Sequence, residues 1–108
     1  MTYVYLLHFD QPISNHHTCQ HYIGFADDLA VRIQRHQVGH GARLTQVAKQ
    51  RGIGFKVARV WQGDRLFERW LKRQKNSPAF CPVCQGHSQR ARLYELSPEQ
   101  IANALIPF

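Results

Sequence analysis

The apolar positions of the chain fall into short runs that follow two different periods. Residues 3–9 (YVYLLHF) and 21–25 (HYIGF) are rich in aromatic and β-branched residues, which favours buried strands. Residues 55–61 (FKVARVW) alternate apolar and basic side chains, so a third strand with one solvent-exposed, positively charged face is expected. The polar, turn-rich segment between the first two runs predicts an antiparallel hairpin with an enlarged loop.

Helical spacing of apolar residues occurs in four other segments, which cover residues 29–38, 42–50, 65–75 and 98–105. Asp27 or Asp28 can cap the first helix, Asp64 the third and Ser97 the fourth. The third helix is expected to bury an apolar stripe made of Leu66, Phe67, Trp70 and Leu71.

Together these elements indicate one α/β (α+β) domain that covers residues 1–108. We expect a small three-stranded antiparallel sheet flanked by helices, with a core over residues 3–76. Residues 77–108 form a C-terminal extension that carries a Cys-x-x-Cys turn and a short helix. Three cysteines, an odd number, in a chain of this size do not suggest a disulfide framework, and no signal peptide or membrane span is visible. A cytoplasmic location is therefore expected.

Charge adds a constraint on the partner. Fourteen Lys and Arg residues against seven Asp and Glu give a formal net charge of +7. A basic balance of this size points to a polyanion such as nucleic acid, whereas the simpler explanation is solubility. We expect Lys56 and Arg59 on the third strand, with Arg69 and Arg73 on the third helix, to line a phosphate-binding groove.

Four motifs follow one another along the predicted elements. The first two strands contain YVY at residues 3–5 and YIG at residues 22–24. The first helix contains DLAVRIQRH at residues 28–36, and the third contains ERWLK at residues 68–72. In this order and on these elements, the motifs resemble those of the GIY-YIG nuclease family, in particular a small stand-alone, single-domain member. The resemblance implies an endonuclease that depends on a divalent metal and hydrolyses phosphodiester bonds in DNA, with RNA not excluded.

The catalytic residues that the resemblance implies are Tyr5, Tyr22, Arg32, His36 and Glu68. Tyr22 would be the general base, and Glu68 the ligand of Mg²⁺ or Mn²⁺. The residue types suit this chemistry, because a guanidinium fork matches phosphate oxygens and a carboxylate matches a hard cation. A free phenol has a pKa of about 10, so Tyr22 would need a cation beside it to act as a base.

Each of these residues also has a simpler explanation. Glu68 and Lys72 are spaced as a surface ion pair on a helix, and tyrosines in strands usually pack. His36 is one helical turn after Arg32, which leaves open whether it belongs to the site or only packs beside it. The chain also departs from the family pattern, since Tyr3 stands where the family name has Gly and the hairpin loop is long.

A second metal site is suggested by Cys81, Cys84 and His87, whose spacing is that of half a zinc site. The missing ligand could be Cys19 or a histidine of the hairpin loop. Spacing alone favours two free cysteines in a turn, and a redox dithiol is a third explanation. Two other function classes therefore stay open, namely a nucleic-acid-binding module without cleavage and a zinc-bearing interaction module.

Overall fold

A three-stranded antiparallel sheet forms the centre of the fold. The structure, a computed structural model, describes residues 2–13, 20–75, 80–84 and 95–106. The strands are β1 (Tyr3–Phe9), β2 (His21–Ala26) and β3 (Phe55–Gln62), and their order in the sheet is β2-β1-β3. Both pairings of β1 are antiparallel, so the predicted hairpin and the predicted α+β architecture are confirmed.

Four helices are found in the described parts of the chain: α1 (Leu29–Gln37), α2 (Arg43–Gln50), α3 (Arg65–Arg73) and α4 (Pro98–Ala104). Asp28, not Asp27, caps α1 by accepting a hydrogen bond from the Val31 amide, and Asp64 caps α3 in the same way. A capping box between Ser97 and Gln100 begins α4. These caps satisfy amide groups that have no partner within a helix, which is why the helices begin where the sequence predicts.

The two faces of the sheet pack against different helices. On one face, Tyr5 and Leu7 of β1 form a cluster with Leu29 and Ile33 of α1. On the other face, Val4 and Leu6 pack with a group from α3 and the segment after it, which consists of Leu71, Phe80 and Cys81. Because side chains alternate along a strand, β1 is buried on both sides. The strand β2 is an edge strand, and α1 and α3 flank it from opposite faces.

Two surface predictions were wrong. Arg59 is only 6% exposed and forms an ion pair with Glu95, with 2.9 Å between Nε and Oε1. A bulge between the partners of Leu6 and Leu7 breaks the period of two, and Trp61 forms a bridge with Glu95, so β3 has no continuous basic face. Leu66 is 70% exposed and therefore does not belong to the buried stripe of α3.

No helix in the described ranges is both long enough and apolar enough to cross a membrane.

Candidate active site and a histidine–cysteine cluster

An open pocket of about 520 Å³ lies along the exposed edge of β2. Tyr22 of β2, Arg32 of α1 and Glu68 of α3 all line it, so three of the five predicted catalytic residues share one wall. Most of the cations on that wall were not the expected ones: they are Arg32, Arg35, Arg65 and Lys72. Three carboxylates, Asp27, Asp28 and Glu68, line the same pocket, so its four cations exceed its acidic groups by only one. Arg69 and Arg73 do not line it.

Glu68 is the carboxylate that α3 presents to this pocket. It is 8% exposed, and its Oε2 atom lies 3.4 Å from Nζ of Lys72. Arg65 is a second, more distant cation, at 4.0 Å from Oε1. The ion pair that spacing predicted is thus present, but on the pocket wall. Nζ of Lys72 also lies 5.9 Å from the centre of the Tyr22 ring.

Tyr5 and His36 lie behind the pocket wall and not on it. The ring of Tyr5 is fully buried and crosses over Gly24, where a Cβ atom would collide with its ring and hydroxyl. The Tyr5 hydroxyl lies 2.6 Å from Nε2 of His36, and it accepts a 3.4 Å hydrogen bond from Nε of Arg32. Gly24 is therefore required for its size, as a close approach predicts.

The directions of the hydrogen bonds that link Thr45, His36 and Tyr5 can be deduced from the bond that Thr45 makes. The Thr45 hydroxyl donates to the Ala42 carbonyl, so it accepts from Nδ1–H of His36. A neutral imidazole with its proton on Nδ1 leaves Nε2 as an acceptor, and the Tyr5 hydroxyl must then donate to it. Tyr5 consequently holds its proton inward and offers only its oxygen lone pair to Arg32.

Electrostatics agree with this assignment. Burial, above all, raises the pKa of Tyr5 to about 12. Burial, followed by the charge of Arg32, lowers the pKa of His36 to about 4, so the imidazole is neutral near pH 7. The hydrogen bond to Tyr5 is the main cause that raises the pKa of Arg32, and Tyr22 adds to it. Arg32 is thus a fixed, permanently charged group between two tyrosines.

Glu68 could hold one divalent cation. Within the described ranges, it belongs to no group of three or more His, Cys, Asp or Glu side chains of the kind that would form a complete metal cage. Mg²⁺ commonly binds through one or two carboxylates and keeps several waters, and an open pocket leaves room for them. The donor set therefore fits a hydrated Mg²⁺ or Mn²⁺ ion better than a dehydrated one.

A separate cluster lies on the face of the sheet that packs against α3, opposite the face that carries Tyr5. It consists of His8, His21, Cys81 and Cys84, whose ligand atoms all lie within 4.8 Å of one another. His8 and His21 are direct partners in the β1–β2 ladder. A turn with a 3.1 Å hydrogen bond from the Cys84 amide to the Cys81 carbonyl brings the two sulfur atoms together. This cluster could bind a metal ion such as zinc.

The cluster differs from the one that spacing suggested. The two cysteines were predicted, and His21 was among the hairpin histidines considered, but His8 was not. A signal was present in the sequence, because His8 and His21 lie near the two ends of the predicted hairpin loop. The register of the ladder then pairs them directly. Thr45 was also missed, and nothing local marks it. His87 and Cys19 lie outside the described residues.

Comparison of the chain with protein-family models, with curated proteins and with solved structures finds no match.

Proposed function

We propose that this protein is a metal-dependent endonuclease that hydrolyses phosphodiester bonds in DNA. The observation that carries the proposal is the shared pocket wall of Tyr22, Arg32 and Glu68, which come from three different elements. These are the residues to which the resemblance to GIY-YIG nucleases assigns the base, the phosphate clamp and the metal ligand. The four cations that line the pocket beside these residues also suit a phosphate backbone.

Arg32 is the group best placed to hold the scissile phosphate. Its guanidinium can donate to two phosphate oxygens at once, and the hydrogen bond to Tyr5 fixes the plane of the fork. A fixed cation does not need to reorganise when negative charge grows on the phosphoryl oxygens in the transition state. The buried chain through Tyr5, His36 and Thr45 therefore acts on the reaction by positioning Arg32.

Tyr22 is the better candidate for the general base. Its ring is half-buried and lines the pocket, whereas Tyr5 is enclosed and already commits its proton to His36. Arg32 and Lys72 place positive charge beside Tyr22, where it would stabilise the negatively charged phenolate, the form that can take a proton from water.

Glu68 would hold the divalent cation. When bound there, Mg²⁺ would supply charge neutralisation at the phosphoryl and leaving oxygens. Lys72 and Arg65 lie beside Glu68, so they would be close enough to contact phosphate oxygens next to an ion held by the carboxylate. Glu68 would thus bind the metal ion, while Lys72 and Arg65 would bind the nucleic acid.

The test is cleavage of single-stranded, duplex and branched DNA, with and without Mg²⁺, by the unchanged protein and by Glu68→Gln. We expect Mg²⁺-dependent cutting that Glu68→Gln lowers at least about 100-fold while DNA binding is retained. Glu99→Gln is the matched control, because Glu99 is exposed on α4 and does not line the pocket. Binding without any cutting would favour the non-cleaving module, and cutting by Glu68→Gln at the normal rate would contradict the role of Glu68.

A further inference from the structure

Four of the six distances between ligand atoms of the histidine–cysteine cluster match the edges of a metal coordination tetrahedron. Zinc bonds of about 2.3 Å to sulfur and about 2.0–2.1 Å to nitrogen give S···N edges of about 3.5 Å and an N···N edge of about 3.3 Å. The observed N···N distance is 3.2 Å, between Nδ1 of His8 and Nε2 of His21. The observed S···N distances are 3.5 Å and 3.6 Å from His8, and 3.4 Å from His21 to Cys84.

Hydrogen bonds alone do not account for this convergence. Nδ1 of His8 lies within 3.6 Å of three different ligand atoms, on His21, Cys81 and Cys84. A neutral imidazole nitrogen has either one hydrogen to donate or one lone pair to accept with, so it cannot satisfy all three. A single cation at the centre of the four atoms satisfies them together.

We propose that His8, His21, Cys81 and Cys84 bind one Zn²⁺ ion in a structural site. Two imidazoles and two thiolates are the tetrahedral ligand set that zinc prefers. All four positions are filled by protein, Cys81 is fully buried and His21 is 8% exposed, so no position is left for a substrate. The tetrahedron is complete without His87 or Cys19.

The zinc site joins two distant parts of the chain. Its histidines belong to the β1–β2 hairpin, and its cysteines belong to the segment after α3. Phe80 and Cys81 pack in the same core cluster as Leu71, with Trp70 against it, and both of these side chains are on the helix that carries Glu68. Zinc thereby holds the last turn of α3 against the sheet. Because α3 also carries Glu68, zinc would help to position this carboxylate, and this consequence alone rests on the proposed nuclease function.

The first experiment measures metal content in the full chain, purified under reducing conditions without added metal. One equivalent of zinc is expected, and replacement by Co²⁺ should give the visible d–d bands of a tetrahedral ion together with thiolate charge transfer. His8→Gln and Cys84→Ser should each retain less than about a tenth of an equivalent. Absence of metal from the reduced, folded protein overturns the proposal.

Control variants separate this ligand set from the one that spacing suggests. Cys19→Ser, His87→Gln and His40→Gln should all keep one equivalent, and His40 is an exposed histidine of the described chain. If His87→Gln loses zinc while His8→Gln keeps it, the assigned ligands are wrong. His8→Cys guards against simple misfolding, because it should keep the ion and strengthen the thiolate-to-cobalt band by about half as two sulfur ligands become three.

Stability gives a readout that does not involve cleavage. Removal of the ion, or Cys84→Ser, should lower the melting temperature by roughly 10 °C or more, whereas Glu68→Gln should keep the full equivalent of zinc. Zinc without cleavage would contradict the nuclease and leave the zinc site standing. Mg²⁺-dependent cleavage by a protein that holds no zinc would contradict the zinc site and support the nuclease.

Discussion

Acid titration of His36 is the sharpest test of the buried hydrogen-bonded chain behind Arg32. His36 is 1% exposed, and burial, followed by the charge of Arg32, lowers its pKa from 6.5 to about 4. Between these two pH values the unfolded chain binds a proton at this residue and the native protein does not, so stability must fall as the pH falls. Each pH unit in this window costs about 1.4 kcal/mol, which gives a loss of roughly 3 kcal/mol between pH 6.5 and 4.

The groups around His36 favour the neutral imidazole over the protonated one. Tyr5 donates to Nε2, the Thr45 hydroxyl accepts from Nδ1, and Arg32 of the same helix adds a positive charge. The aromatic rings of Tyr22 and Phe55 contact the imidazole from β2 and β3 without adding charge of opposite sign. A proton on Nε2 would meet the hydroxyl hydrogen of Tyr5, so protonation of His36 must break the hydrogen bond between these two side chains.

The measurement is the free energy of unfolding by urea from pH 7.5 to 4, for the unchanged protein and for His36→Gln. Burial, followed by the charge of His8, also lowers the pKa of His21, and any contribution from the histidine–cysteine cluster is common to both proteins. The difference between the two curves should therefore report His36 alone and decrease by roughly 3 kcal/mol. Parallel curves would show that His36 is not held neutral and would remove the basis for the hydrogen-bond directions.

Four other substitutions test the pocket and the residues packed behind it. Tyr22→Phe should slow cleavage by about 100-fold with little change in stability, whereas Tyr5→Phe leaves His36 without its donor and should cost about 1–3 kcal/mol in unfolding; the opposite pattern would exchange the roles of the tyrosines. Arg32→Lys keeps the charge but not the planar fork, so its cleavage rate should resemble that of Arg32→Ala, and a rate near normal would mean that a point charge suffices. Gly24→Ala places a methyl group against the Tyr5 ring and should lower stability by at least about 1–3 kcal/mol in thermal unfolding, so an unchanged melting temperature would contradict the close approach.

Most of the fold could be predicted because its signals are local. The caps at Asp64 and Ser97 and the apolar strand runs lie within a few residues of the elements they define. The pocket could be predicted only through the order of the motifs, since nothing in the spacing between Tyr22 and Glu68 requires them to meet. Their meeting depends on α1 and α3 packing on opposite faces of the same edge strand.

The errors come from contacts between distant segments. The burial of Arg59 depends on Glu95 and on a bulge in β3, and neither is visible in an alternating pattern of side chains. Thr45 becomes the acceptor for His36 only because the turn between α1 and α2 returns the chain over the imidazole. His8 differs from these residues, because the expected hairpin already brings it near His21. The register of the ladder then makes the two histidines direct partners.

The register of the hairpin has a consequence for how the chain can vary. The pairs Leu7 with Tyr22 and His8 with His21 are adjacent rungs of one ladder, and their side chains point to opposite faces. A shift of β2 by a single residue against β1 would turn both His21 and Tyr22 to the wrong faces, so the histidine–cysteine cluster and the pocket would each lose a residue. Homologous chains that keep the pocket should therefore keep the spacing within these strands, while length changes should accumulate between residues 10 and 20. The alternation of side chains along β2 therefore couples the histidine–cysteine cluster to the pocket.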